Sequence, residues 1–497
     1  MDKTTPTAQI GNFKYLDDLI HSGEREIVLD RDIVLGDEEY RYGDGIILDE
    51  DNIIINGNGH EVDACGKARV FVCTGKGITI KNATLKNGSS KQGGAICNRG
   101  ELTIFDSAFN DNASHVAGAI FNSDGKLEIH DSVFGNNRVN HDGGAIFNLN
   151  GELMISGAAF YENSAGHYSG AIYNEEGSLT ISDSAFADNL AEYGGAIYNK
   201  GGETKISNSK LNGNVARGGG AAYNKEGELT LMRVTLNSND AKKEGGAIGN
   251  LDKLSIADSS FQNNRSMGEG GAIYNLGDEL SIANSLFSQN CSKELGGAIY
   301  NYGFSGYANK VSIERSRFEN NFSHRGAGAL FNEEWGKFSV SDSCFIENTA
   351  VQNGGAIENW GNGIIRDSTF SKNTSKDENG GAIFNWRRDL TVIKSAFSEN
   401  SAERAGGAIC NKSGWITIEE SLLHNNFSKS NGGAIFSRSY DGTMYGDDAS
   451  LFMTDCEVTF NRVDDGGGAI YLKRSKYKLK NCSFKGNEPS DVNGDYE

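Results

Sequence analysis

Aromatic residues gather at one position of a repeated sequence unit. All four tryptophans, and the aromatic residues of two longer segments, follow the same Ile-x-Asn motif or its Leu-x-Asn and Ile-x-Ser variants. They are Tyr302, Phe304, Tyr307, Trp335, Trp360, Trp386, Trp415, Tyr440 and Tyr445. Aromatic side chains in a row on a rigid scaffold offer apolar faces to sugar rings or to a protein partner. The same residues could instead pack one turn against the next, so binding and packing both stay open.

Three histidines recur with the same spacing. His115, His141 and His167 are 26 residues apart, and each lies two residues before the first position of its repeat. If the repeats stack, the imidazoles stack with them and could share a metal ion or form a pH-sensitive strip. The equivalent position later holds Glu192 and Arg217, which is typical of a solvated edge. We therefore predict no metal site and keep the three histidines only as candidates.

Catalytic chemistry has weaker support. A glycosidase needs two carboxylates at a short fixed separation, and a polysaccharide lyase needs an acidic calcium site beside a basic residue. The nearest combinations are Asp447-Asp448 and Asp464-Asp465, with Arg438 and Arg462 as basic partners. Such pairs arise easily in an acidic chain. We predict no catalytic residue and no cofactor; calcium is compatible with the composition but no motif supports it. A lyase or glycosidase stays as the alternative.

The repeat itself predicts the elements that would position these residues. Gly-Gly-Ala-Ile returns about every 26 residues, from Gly93–Ile96 to Gly467–Ile470, in fifteen alignable copies whose third position is always alanine. The loose copies are 117–120, 169–172, 219–222 and 327–330. A fixed period of 20 to 50 residues indicates a solenoid.

Each unit reads as strands. In the segment 179–182, Leu and Ile alternate with Thr and Ser, which is the period of two typical of a β-strand. No unit contains a helical period long enough for an α-helical repeat. An all-β unit of this length fits one coil of a parallel β-helix, with coils about 4.8 Å apart.

Stacked coils place equivalent residues in columns. The asparagine of Ile-x-Asn and that of Phe-x-x-Asn, from Asn112 to Asn487, each form such a column, and stacked amides can bond along the axis. The residue after the isoleucine varies from tyrosine to Gly249 and Glu358. We therefore expect isoleucine and asparagine to face inward, and alanine and the variable residue to face outward.

The chain ends differ from the repeats. Phe13, Leu16, Leu19 and Ile20 have helical spacing and predict a short helix that covers the first coil. We expect residues 1–45 to form this cap and the first strands, 46–488 the β-helix, and 489–497 a tail. No capping pattern follows Asn487, which favours a continuation of the chain.

Composition limits the partners. The 497 residues carry a formal net charge of −20, which repels nucleic acid and anionic membrane surfaces. No apolar stretch is long enough for a transmembrane helix, and no signal peptide pattern is visible at the start. Among the eight cysteines, Cys456 and Cys482 are 26 residues apart and should stack. Buried free thiols are favoured over a disulfide there.

The two repeat motifs, Gly-Gly-Ala-Ile and Phe-x-x-Asn, resemble the repeats of chlamydial polymorphic outer-membrane proteins. The opening segment Asp51–His60, followed by Val62-Asp63-Ala64, is similar to adhesin-like β-helix proteins of methanogenic archaea. The resemblance covers residues 46–488. It implies a right-handed, pectin-lyase-like β-helix that lies outside the cell or at its surface and adheres to surface glycans or cell-surface proteins.

The resemblance is incomplete at the C-terminal end. No pattern of a membrane anchor follows Asn487, so direct membrane insertion is not expected. Nucleic acid is excluded as a partner by charge. A rigid structural stalk that binds nothing is a further alternative.

Overall fold

A computed structural model describes residues 10–303, 309–439 and 449–495. The chain divides into two units, Met1–Thr230 and Leu231–Glu497. Each unit is an all-β parallel solenoid, and the described residues contain about 18 turns in total and one short α-helix. The predicted parallel β-helix is confirmed, whereas its right-handedness stays a prediction.

The N-terminal helix is present where the helical spacing predicts it. Helix α1 spans Phe13–Ile20, and the side chain of Asn12 caps it by accepting a hydrogen bond from the Tyr15 amide at 2.9 Å. Phe13, Leu16 and Ile20 are buried. The helix packs against two strands of the first coils, which covers an edge that would otherwise be open to pairing.

Each coil contributes strands to three long sheets and, in most coils, to a short fourth one. In the first unit, the sheet of the Ile-x-Asn motif contains Ile46–Leu48, Phe71–Cys73, Ile96–Asn98, Ile120–Ser123, Ile146–Leu149, Ile172–Glu175, Ile197–Lys200 and Ala222–Lys225. The alternating sheet contains Glu26–Val28, Ile54–Asn56, Ile78–Lys81, Glu101–Phe105, Lys126–His130, Glu152–Ser156, Ser178–Ser182, Glu203–Ser207 and Glu228–Met232. The phenylalanine sheet contains Ile33–Val34, Glu61–Asp63, Thr84–Lys86, Ala108–Asn110, Val133–Gly135, Ala159–Tyr161, Ala185–Ala187 and Lys210–Asn212. The short strands are Ser89–Gln92, Ala113–Val116, Arg138–Val139, Ser164–Ala165 and Val215–Gly218, and a 3₁₀ turn spans Tyr40–Tyr42.

The second unit repeats this order. Its Ile-x-Asn sheet contains Ile248–Asn250, Ile273–Asn275, Ile299–Asn301, Leu330–Asn332, Ile357–Asn359, Ile383–Trp386, Ile409–Lys412, Ile435–Arg438, Ile470–Lys473 and Val492–Asp495. Its alternating sheet contains Lys253–Ala257, Glu279–Ala283, Lys310–Glu314, Lys337–Ser341, Asn362–Arg366, Leu390–Ile393, Trp415–Glu419, Ser450–Thr454 and Lys476–Lys480. Its phenylalanine sheet contains Thr235–Asn237, Ser260–Gln262, Leu286–Ser288, Arg317–Glu319, Cys344–Ile346, Thr369–Ser371, Ala396–Ser398, Leu422–His424, Glu457–Thr459 and Ser483–Lys485. The short strands are Asp240–Glu244, Arg265–Ser266, Cys291–Ser292, Phe322–Ser323, Thr349–Ala350, Thr374–Ser375, Ser401–Ala402, Phe427–Ser428 and Arg462–Val463.

Strand register places identical residues above one another. Ile96 pairs with Ile120, Leu102 with Leu127 and Phe109 with Phe134. The phenylalanine rings are nearly parallel, with centroids 4.7 Å apart between Phe109 and Phe134. This distance equals the spacing of neighbouring strands, so the ring column follows directly from the repeat.

Both predicted asparagine columns are hydrogen-bonded ladders. In the first, the Asn148 amide donates to the Asn174 side-chain oxygen at 2.7 Å and to the Gly151 carbonyl at 2.9 Å. In the second, Asn348 donates to the Asn373 side-chain oxygen at 3.1 Å. A primary amide suits this position because it both donates and accepts, so each one satisfies its neighbours.

The structure also contains a ladder of serines that the sequence analysis did not predict. The Ser132 hydroxyl accepts from the Ser107 amide at 3.1 Å and donates to the His130 carbonyl at 2.7 Å. Cys456 and Cys482 occupy this ladder near the end of the second unit, and both are free thiols. Their predicted stacking is confirmed, and Cys456 donates to the Thr454 carbonyl at 3.2 Å just as the serines do.

The predicted exposure of the outward-facing residues is wrong. Alanine of the repeat is fully buried, and Tyr173 and Tyr198, which follow the isoleucine, are each only 3% exposed. The reason is that residues just before the glycine pair, among them Tyr168, Leu295 and Ala405, pack over this face. Tyr168, for example, contacts the Tyr198 ring with centroids 4.6 Å apart. The coils around Tyr173 and Tyr198, Tyr300 and Phe331, and Phe384 and Phe436 therefore have a second apolar layer outside the central core.

The Gly-Gly pair has a steric origin. The first position adopts a left-handed backbone, with φ of 63° at Gly194, and Ala117 tolerates the same conformation in a loose copy. At the second position a Cβ atom on Gly195 would lie 2.1 Å from the Gly220 carbonyl oxygen. The second glycine is therefore required wherever coils stack this closely.

Candidate functional site

Five of the nine predicted aromatic residues lie in the described part of the chain. Tyr302, Trp335, Trp360, Trp386 and Trp415 all belong to the second unit and follow its Ile-x-Asn strands. The others, Phe304, Tyr307, Tyr440 and Tyr445, lie outside the described residues.

Two of these residues meet in one apolar cluster. Trp360 lies against Phe331, with ring centroids 5.5 Å apart, and Tyr302 lies 6.3 Å from Tyr300. Both pack on a buried group formed by Tyr300, Ala327 and Phe331. Trp360 and Tyr302 therefore help to close the second apolar layer.

Trp386 belongs to a different cluster. It packs on Phe384 with ring centroids 6.2 Å apart, next to the buried Cys410 and Phe436. The guanidinium of Arg387 lies 5.1 Å from the centre of the indole. Trp386 is half-buried, and one face of its indole is next to a cation.

Trp335 and Trp415 are the exposed members. Their exposed fractions are 45% and 59%. Arg388 covers part of Trp335, with its guanidinium 5.1 Å from the ring centre, and also forms an ion pair with Glu334 at 3.1 Å. The structure therefore separates the predicted row into packed and exposed tryptophans.

A buried carboxyl lies beside these aromatic residues. Glu358 takes the place of an aromatic residue between Ile357 and Asn359 and is only 3% exposed. The Trp360 indole N–H donates to its Oε1 at 2.9 Å. Burial raises the pKa of Glu358 to about 8. The prediction that Glu358 belongs to an exposed column is therefore wrong.

A second carboxyl is close to the same layer. Burial also raises the pKa of Glu333, whose Oε2 accepts a hydrogen bond from the Tyr300 hydroxyl at 2.6 Å. Nothing in the repeat pattern distinguished Glu333 from its neighbours. Both carboxyls are held by aromatic hydrogen-bond donors, and Glu358 does not reach a dissolved substrate in this conformation. The geometry of Glu333 and Glu358 therefore supports a structural role in packing the second apolar layer.

The acidic pairs considered for catalysis are described only in part. Asp464 forms an ion pair with Arg462 at 2.8 Å, and both side chains are exposed. Asp447 and Asp448 lie outside the described residues. The exposed pair is a surface ion pair, which contributes little to stability.

The three histidines of the first unit stack as predicted. Ring centroids are 4.1 Å apart between His115 and His141, and 5.0 Å apart between His141 and His167. Within residues 10–303, 309–439 and 449–495, no group of three or more His, Cys, Asp or Glu side chains is arranged to hold a metal ion. The described residues also contain no helix of the length and apolar character that crossing a membrane requires.

Comparison with known proteins gives one match. No curated protein and no solved structure matches the chain. The family model described as Chlamydia polymorphic membrane protein (Chlamydia_PMP) repeat matches four segments, all in the second unit. They are residues 258–276, 284–302, 367–385 and 394–412. The chain is therefore a parallel β-solenoid that carries Chlamydia polymorphic membrane protein repeats.

Proposed function

We propose that this chain is a non-catalytic, adhesin-like protein of the cell surface. It binds glycans or proteins of a neighbouring cell through the turns that follow the Ile-x-Asn strands of the second unit. The observation that carries this proposal is the exposure of Trp335, on a turn, and of Trp415, at the start of the strand Trp415–Glu419, on a hydrogen-bonded solenoid.

Exposed indoles on a rigid frame suit binding. An indole carries a large apolar surface, and leaving it in water forgoes burial worth roughly 2 kcal/mol. The strand ladders already fix the turns, so little conformational entropy is lost when a ligand docks. Arg388 and Glu334 together hold Trp335 in place. The repeats of the second unit, which match a family named for membrane proteins, support a location at the surface.

A rigid stalk is the second candidate. Trp360 and Trp386 pack into separate apolar clusters, which supports a structural role for that part of the predicted row. A stalk needs no exposed tryptophan, however. Trp335 and Trp415 therefore distinguish the two candidates.

We expect the double substitution Trp335→Ala and Trp415→Ala to weaken binding by about 30-fold or more, the effect of losing about 2 kcal/mol at an interface hot spot. Binding is measured on a glycan array and by flow cytometry with labelled protein on intact cells. The control is the double substitution Tyr40→Ala and Tyr161→Ala, which removes two exposed aromatic residues of the first unit, 85% and 40% exposed.

Three results would contradict the proposal. Unchanged binding by the tryptophan variant would move the site elsewhere. A wild-type chain that binds neither glycans nor cells would support the stalk. Release of unsaturated uronate from polyuronates with calcium would support the lyase alternative.

A further inference from the structure

The charge of the turns that follow the Ile-x-Asn strands changes from negative to positive along the second unit. The early turns carry Asp252, Asp278, Glu333 and Glu334. The later turns carry cations at the same place. These are Arg387, Arg388, Lys412, Arg438 and Lys473, called the basic edge below. The same later turns also contain Asp389, and Asp441, Asp447 and Asp448 follow Arg438 in the sequence.

Strand register stacks these cations in one column. Lys412 pairs with Arg438, and Arg438 pairs with Lys473. Trp386 precedes Lys412 in the same column. Neighbouring strands are about 4.8 Å apart, so three positive side chains lie within about 10 Å along the solenoid. Like charges opposite one another on neighbouring strands destabilise a sheet.

Two cations of the basic edge lie over aromatic rings. The guanidinium of Arg387 lies over Trp386, and the Lys412 ammonium lies 5.2 Å from the centre of the Phe384 ring. Among the side chains that the structure describes, no carboxylate lies within ion-pair distance of Arg387 or Lys412. Lys473 pairs in register with Asp495, so the last cation of the column has an acidic residue on the next strand. Arg388 differs, since it pairs with Glu334.

The first unit shows the contrasting arrangement. Lys200 and Lys225 occupy the same column position there and pair with each other in register. Lys200 binds Glu175 at 2.5 Å, and Lys225 lies 3.6 Å from Glu226. Neutralisation by a neighbouring carboxylate is therefore available in this fold, and among the described side chains it does not occur at Lys412.

We propose that the basic edge binds a polyanionic glycan, whose carboxylate or sulfate groups lie against the stacked cations. This inference rests on the proposed function and names its ligand class. A chain of sugars laid along the coils could place acidic groups on Lys412, Arg438 and Lys473 while its rings contact the exposed face of Trp415. The rest of the acidic molecule repels such a polymer, which directs it to this edge and makes binding depend strongly on salt.

The test compares two double substitutions in the full-length chain. Lys412→Gln with Lys473→Gln removes two charges of the basic edge. Lys200→Gln with Lys225→Gln removes two charges from the same column position of the first unit. Binding of a heparin oligosaccharide, an oligogalacturonate and neutral maltohexaose is measured by calorimetry at 50 and 300 mM NaCl. Circular dichroism melts check that each variant is folded.

We expect wild-type protein to bind an anionic oligosaccharide and not maltohexaose, with weaker binding at high salt. The basic-edge variant should bind about tenfold more weakly and show a shallower salt dependence, because each lost cation releases on the order of one fewer counterion. The control variant should bind like wild type. Binding of heparin alone assigns sulfate groups as the ligand, and binding of oligogalacturonate assigns carboxylates.

Other outcomes would overturn the inference. Equal weakening in both variants would mean that net charge alone decides binding. Unchanged binding in the basic-edge variant would exclude this edge. If maltohexaose binds and loses affinity in the Trp335/Trp415 variant, the proposed function stands and the anionic ligand is wrong. If no glycan binds and no cell is recognised, the proposed function fails as well.

Discussion

Replacing Glu358 with glutamine is expected to remove a loss of stability that the second unit suffers between about pH 4.5 and pH 8. The folded-state pKa of Glu358 is about 8, against an ordinary value of 4.5. Between these values the folded state holds a proton that the unfolded state has released, so the free energy of unfolding falls as pH rises. The total loss is on the order of 5 kcal/mol above pH 8.

The groups around Glu358 explain the direction of the shift. Burial raises its pKa most, and the negative charge of Glu333 raises it further. The hydrogen bond from Trp360 and the charges of Lys412 and Arg325 act in the opposite direction and do not compensate. Glutamine keeps the acceptor for the indole N–H but cannot ionise, so it retains the packing and loses the titration.

Tryptophan fluorescence gives the measurement. All four tryptophans lie in the second unit, so urea denaturation followed by their emission reports on that unit alone. At pH 5 the Glu358→Gln variant and wild type should unfold at similar urea concentrations, and at pH 9 the variant should be more stable by several kcal/mol. Glu279→Gln, at an exposed position of the same unit, is the control. A parallel pH dependence of wild type and the Glu358 variant would contradict the prediction.

The substitution Asn348→Leu, which interrupts the second asparagine ladder, is expected to lower the free energy of unfolding by on the order of 5 kcal/mol. In the second ladder the Asn348 side-chain oxygen accepts from the Asn321 backbone amide at 3.1 Å and from its side-chain amide at 2.9 Å. Its own amide donates to the Phe318 carbonyl at 2.9 Å and to Asn373. Leucine has a similar size but would leave these buried groups unpaired, at about 1–3 kcal/mol each.

The control for Asn348→Leu is Gln352→Leu, which makes the same change from amide to leucine at an exposed position four residues away. Urea denaturation followed by tryptophan fluorescence measures both. Hydrogen exchange then shows how far the loss spreads, because in a solenoid each coil contacts mainly its neighbours. A destabilisation below about 1 kcal/mol for Asn348→Leu would show that water or a shifted coil satisfies the ladder.

The repeat made much of the fold predictable. A fixed period of strand-forming residues leads to stacked coils, and identical residues then meet in columns, as the phenylalanine rings and both asparagine ladders show. The helix at Phe13–Ile20 followed from its own local spacing of apolar residues. These features depend on neighbours that are close in sequence or equivalent in the repeat.

The candidate site was predictable only in outline. The sequence predicted all four tryptophans on equivalent turns, whereas Trp386 ends one strand and Trp415 begins another. The sequence also did not show which tryptophans are covered. Coverage depends on the segment before each Gly-Gly pair, whose residues vary from coil to coil and follow no strict pattern. Arg388 reaches Glu334 from 54 residues away, a contact that no local rule would suggest.

The sequence by itself determined a stack of parallel β coils with amide ladders, because these follow from a period and from residue type. Only the tertiary structure decided that the outer face is covered, that Glu358 is buried there, and that Trp335 and Trp415 stay exposed beside the basic edge. The physical reason is that burial depends on the surrounding chain. The residue after an isoleucine is exposed or buried according to which segment packs over it.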